Sequence, residues 1–182
     1  MKKTLTLMAI CLTIHSNAQQ TNTCVCCTDK HEQFNFWLGH WDVYDTTGKK
    51  VGENLIEFIE GGCGLRENWT SNTQTGTSNN YYDPADSSWN QLWIDNVGTI
   101  LKLKGNYSNN RMTLTSDPVK GIKVPFYYNQ ITWDKNKDGT VTQTWDVRGS
   151  MDQLLQRAFK GIYKLKPKTI MSEKGSANKS TK

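Results

Sequence analysis

Arg66-Glu67-Asn68-Trp69-Thr70 alternates a polar set, Arg66, Asn68 and Thr70, with a pair of another kind, Glu67 and Trp69. A period of two is the period of a β-strand, so Glu67 and Trp69 share one face of a sheet and the polar trio takes the other. A long polar side chain two residues before a tryptophan recurs in Gln91-Leu92-Trp93 and Gln143-Thr144-Trp145. Around Trp145 the opposite face carries Thr142, Thr144 and Asp146, a composition suited to water, so the tryptophan face is the covered one. Three indoles and three hydrogen-bonding groups aimed at one interior describe a lined cavity more than a dry core, because a buried Glu or Gln must find a partner.

Working outward from these segments, strand-like runs follow one another with turn signals between them. Trp37 to Tyr44, Val51 to Glu60, Leu65 to Ser71, Asn79 to Tyr82 and Trp89 to Asp95 come first. Thr99 to Lys104, Arg111 to Thr115, Phe126 to Trp133, Thr140 to Arg148 and Leu154 to Lys164 complete the series. No convincing amphipathic helix interrupts them, and parallel strands need long crossovers, so an antiparallel meander is the simple wiring. A meander of about ten strands leaves two open edges unless it closes on itself. The sequence therefore predicts an all-β domain, a single antiparallel up-and-down β-barrel, with a sandwich as the second choice.

Strand alternation applied to the last run puts Gln156, Lys160 and Lys164 on one face, and Leu155, Arg157, Phe159, Gly161 and Tyr163 on the other. Arg157 is then expected inside, where it needs an anionic or carbonyl partner; Glu67 is the first candidate and Asp95, on the Gln91 and Trp93 face, the second. The expected ligand-binding set is Glu67, Trp69, Gln91, Trp93, Asp95, Gln143, Trp145 and Arg157. A carboxylate in a low-dielectric barrel, Glu67 or Asp95, is also a candidate general acid or base. No nucleophile system is legible, since past residue 18 only His31 and His40 remain and neither accompanies a nucleophile elbow. His40 reads as a barrel-end side chain.

The flanks carry their own signals. Met1-Lys2-Lys3, the apolar Leu5 to Ile14 and the small residues of Ser16-Asn17-Ala18 match a signal peptide cleaved after Ala18, which implies a periplasmic or secreted protein. No apolar run reaches the roughly twenty residues of a membrane span, so membrane insertion is not expected. The formal charge of +5 is not a property of the barrel: Lys2 and Lys3 supply two charges and Lys164 to Lys182 a net five, so residues 19–163 carry −2. Lysines without interleaved aromatic or arginine residues read as a solvated tail over 166–182, so nucleic acid is not an expected partner. The barrel is expected over 34–165, and the sequence does not set an oligomeric state.

Cys24-Val25-Cys26-Cys27, His31 and Cys63 allow a zinc or copper(I) site, but their spacing departs from Cys-x-x-Cys pairs. In an oxidising compartment four cysteines are more simply disulfides, and one of Cys24, Cys26 and Cys27 is expected to bridge to Cys63, tying the arm of residues 19–33 to the barrel. Asp134-Lys135-Asn136-Lys137-Asp138-Gly139 copies half of a calcium loop, but position twelve is Trp145, so it reads as a hairpin turn. No metal or cofactor is expected.

Phe34-Asn-Phe-Trp37-Leu-Gly39-His-Trp41-Asp-Val43 resembles the opening of a family of secreted bacterial proteins known as domain of unknown function 1579. Tyr82-Asp83-Pro84, Trp89-Asn-Gln91-Leu-Trp93-Ile-Asp95-Asn-x-Gly98, Ile131-Thr-Trp133, Asp138-Gly139, Gln143-x-Trp145 and Gly161-x-Tyr163 resemble that family's pattern in the same order. The resemblance implies a calycin-like barrel akin to lipocalins, fatty-acid-binding proteins and nitrobindins, with Gly39-His-Trp41 closing one end. It brings no established activity. Haem binding of the nitrobindin type needs an axial histidine late in the barrel, and this chain has none after His40.

Overall fold

The computed structural model describes residues 24–167; the expected signal peptide and nearly all of the basic tail lie outside them. One antiparallel sheet contains β1 (Gly39–Tyr44), β2 (Lys50–Ile59), β3 (Gly64–Ser71), β4 (Thr75–Asp83), β5 (Ser88–Asp95) and β6 (Ile100–Ser108) in sequence order. It continues through β7 (Arg111–Ser116), β9 (Phe126–Lys135), β10 (Val141–Arg148) and β11 (Leu154–Leu165). Pairing of β11 with β1, at Val43 against Tyr163, closes the ring, so the fold is an all-β ten-stranded barrel. The ten expected strands are the ten staves. One further short strand, β8 (Val119–Lys120), carries no strand signal in the sequence and pairs only with the start of β9. Asp138-Gly139 forms the β9–β10 hairpin turn, where Asp138 Oδ1 accepts from the backbone and hydroxyl of Thr140.

The two ends of the barrel differ. Residues before β1 form a single helical turn, α1 (Asp29–Glu32), capped by Thr28, and then a 3-10 turn at Asn35–Trp37. That turn drives Phe34 and Trp37 into one mouth, where both are fully buried. Phe34 stacks on Trp37 at 5.0 Å and meets Trp89 and Trp133 edge-on at 5.5 and 5.2 Å. Trp41 donates its indole N–H to the Trp37 carbonyl at 2.9 Å, which ties the start of β1 to this closed end. Four indoles and Phe34 thus form a plug, and aromatic burial of this kind dominates core energetics. His40 is exposed beside Glu53 on the rim.

Covalent ties hold the plug in place. Cys26 bridges to Cys63 in the β2–β3 turn at the closed end, and Cys24 bridges to Cys27 within the arm. Two disulfides suit an oxidising compartment. At the other terminus Lys166, expected in the free tail, is docked: its N–H donates to the His40 carbonyl at 2.8 Å and its ammonium sits 2.5 Å from Glu53. Among the described residues no helix is long and apolar enough to cross a membrane.

Candidate functional site

With one mouth plugged, the lumen opens at the other, between the β1–β2, β3–β4, β5–β6, β7–β9 and β10–β11 connections. A cavity of about 470 Å³ enters there and is lined by Glu67, Trp69, Gln91, Trp93, Gln143, Trp145, Phe159 and Tyr163. Six of the eight residues expected at the site therefore converge on one space from β3, β5 and β10. A neighbouring cleft of about 810 Å³, where β6 parts from β7, shares Leu101, Trp145 and Ala158 with it.

The walls of the cavity are indole and phenyl rings laid across glycines. Gly52 on β2 and Gly76 on β4 have no Cβ, and one built there would collide with the six-membered rings of Trp69 and Trp93 respectively. Phe159 lies over Gly161 in the same manner, and its ring meets Trp69 edge-on at 6.0 Å. Glycine inside a strand weakens the strand unless something needs the close approach, and here the rings do. Each ring is thereby flattened against the barrel wall and the lumen stays open. Trp145 is fixed differently, by donation of its N–H to Asn129 Oδ1 at 2.8 Å.

At the bottom of the cavity the polar groups form one network. Asn54 Nδ2 donates to Glu67 Oε1 at 2.7 Å, and Ser78 Oγ donates to Glu67 Oε2 at 2.6 Å. Gln91 Nε2 donates to Asn80 Oδ1 at 2.8 Å and to Ser78 Oγ at 3.3 Å. The Tyr163 hydroxyl donates to Gln143 Oε1 and accepts from Asn54 Nδ2 at 3.3 Å. Burial pushes the Glu67 carboxyl up to about 7, against the opposing pull of the Ser78 and Asn54 hydrogen bonds. Burial, and then the nearby Glu67 charge, pushes the Tyr163 hydroxyl well above its ordinary value.

Two expected members are elsewhere. Arg157 is on the outside of the barrel: its Nε and Nη2 grip Asp146 at 2.8 and 3.1 Å, and Arg148 completes the cluster at 3.1 Å. The cause is a β-bulge. Trp145 pairs with Phe159 but the next residue, Asp146, pairs with Arg157, so Ala158 is an extra residue that reverses the alternation of β11 toward its start. Arg157 and Glu67 are therefore not partners. Asp95 sits at the open mouth as a turn cap: Oδ1 accepts from the N–H groups of Val97 and Thr99 at 3.1 and 2.8 Å, and Oδ2 accepts from Gln74 Nε2 at 2.6 Å. Burial raises its pKa, but these donors outweigh burial and hold it below the ordinary value. No family model matches the chain, and no curated protein is significantly similar to it.

Asn54, Ser78, Asn80, Phe159 and Tyr163 complete the site and lie outside the expected set. Phe159 and Tyr163 are expected on the inner face, without a role. Asn54 and Ser78 are polar residues at inward positions of β2 and β4, and with Gly52 and Gly76 two residues away they carry a faint signal: a Gly-x-Asn and a Gly-x-Ser where a core strand would carry apolar residues. No group of three or more His, Cys, Asp or Glu able to hold a metal occurs among the described residues.

Proposed function

We propose that the protein is an exported β-barrel, periplasmic or secreted, that binds a small, partly apolar ligand in its open lumen. The observation that carries this reading is the cavity of about 470 Å³ whose rings are held against the wall by glycines instead of filling the space. That volume falls in the range of small-molecule sites, and its make-up, apolar walls with a few convergent polar groups, is that of a binding pocket. A barrel serving only as a scaffold gains nothing from a lumen that two intra-strand glycines keep open. On the ordered motifs that resemble domain of unknown function 1579 we also propose membership of that family.

An enzyme of the same architecture is the second reading, and Glu67 favours it: a carboxyl near pH 7 is suited to both giving and taking a proton. Asp95 is poorly suited, because its Oδ1 is committed to the β5–β6 turn and its Oδ2 to Gln74. Native mass spectrometry of the protein purified from its own host tests the binding role. A stoichiometric adduct that leaves on denaturation supports it, and a bare polypeptide mass throughout counts against it.

A further inference from the structure

From the composition of the lumen floor we infer that the ligand's polar end is an organic cation, a protonated amine or quaternary ammonium joined to an apolar body. The inference rests on the lumen being a binding site and specifies what the site takes.

Glu67 makes no ion pair with any described residue; both of its hydrogen-bond partners, Asn54 and Ser78, are neutral. A buried carboxylate without a cation is costly, and proteins ordinarily pair one or do without it. The elements around it offer no relief: Asn54 on β2, Ser78 on β4, Gln91 on β5 and Gln143 on β10 are neutral, and Tyr163 on β11 is the other titratable group. Two lysines, Lys49 and Lys50, line the cavity at its mouth and not at its floor, and Lys50 is committed to Asp42 and Glu53, each at 2.6 Å.

The amide N–H groups of Gln91 are spent on Ser78 and Asn80 and the Tyr163 hydroxyl proton on Gln143, so none of these donors is left for an anion. Above the carboxylate, the rings of Trp69, Trp93 and Phe159 line the cavity, each packed over a glycine of the wall. The face of an aromatic ring is its negative side, and indole attracts cations best. A box of aromatic rings over an uncompensated carboxylate is complementary to an ammonium group. It opposes a carboxylate or phosphate ligand, which would face Glu67 with no arginine or lysine at the floor.

Three probes with one chain length separate the possibilities: decyltrimethylammonium, decanol and decanoate, each below its micelle or solubility limit, titrated into the mature protein at pH 8 and followed by tryptophan fluorescence. The cation is expected to bind about tenfold or more tighter than decanol, with decanoate weakest. Glu67→Gln should remove the preference of the cation over the alcohol, so that the two probes bind alike. Lowering the pH from 8 to 6 should weaken the cation alone, as Glu67 takes up its proton.

Decanol matching the cation, decanoate binding best, or a preference that survives Glu67→Gln would overturn the charge assignment while leaving the lumen a binding site. If none of the three binds, the lumen reading fails and the inference falls with it.

Discussion

Glu67 Oε2 accepts a 2.6 Å hydrogen bond from Ser78 Oγ deep in the barrel, and this neutral partner takes the place that an ion pair would hold in most buried carboxylates. Its consequence is a pH-dependent stability. The folded-state pKa of about 7 lies above the ordinary 4.5, so between these values the folded protein holds a proton that the unfolded chain has released. Stability then falls as pH rises through that window and levels off above it, by up to about 3 kcal/mol for a shift of this size. Glu67→Gln should abolish that slope. Urea denaturation of both proteins at pH 4.5, 6 and 8 measures it; parallel curves would show that Glu67 does not titrate as described.

The outward cluster of Arg157 and Asp146 makes a different prediction. Arg157 is half exposed and Asp146 retains Arg148, so Arg157→Met should cost only about 0.5 to 1 kcal/mol. A double-mutant cycle separates the two possible partners. Arg157→Met should couple measurably to Asp146→Asn, and its effect should add to that of Glu67→Gln within about 0.5 kcal/mol. Coupling to Glu67 would place Arg157 inside and contradict the bulge at Ala158.

Gly76 is predicted to guard the lumen. Gly76→Leu puts a side chain where the Trp93 ring lies, which should displace the indole into the cavity and destabilise by about 1 to 3 kcal/mol. Ligand affinity should drop at least as far as it does in Trp93→Ala, measured by calorimetry on whichever probe binds. An unchanged affinity would mean that the Trp93 wall does not contact ligand.

How far the sequence led depended on regularity. Where strands alternate without interruption, as in Arg66–Thr70, Gln91–Trp93 and Gln143–Trp145, the period of two placed Glu67, Gln91, Gln143 and three tryptophans on the inner face, and hairpin spacing gave the barrel. Arg157 was misplaced because one extra residue, Ala158, inverts the pattern, and nothing in Gln156-Arg157-Ala158-Phe159 announces a bulge. Asp95 was on the expected strand, but at its final residue, where a carboxylate caps the turn instead of facing the lumen. The pairing of Cys26 with Cys63 depended on where the β2–β3 turn meets the arm, a tertiary fact that spacing alone left among three choices.

The seven tryptophans divide into four at the plug, Trp37, Trp41, Trp89 and Trp133, and three around the lumen, Trp69, Trp93 and Trp145. Nitrogen-proton NMR of the indole groups therefore reads occupancy of the lumen directly. On titration with decyltrimethylammonium, the account predicts that the indole signals of Trp69, Trp93 and Trp145 move while those of the four plug residues stay in place. Movement confined to the plug, equal movement of all seven, or none at saturating probe would contradict a ligand site in the barrel lumen.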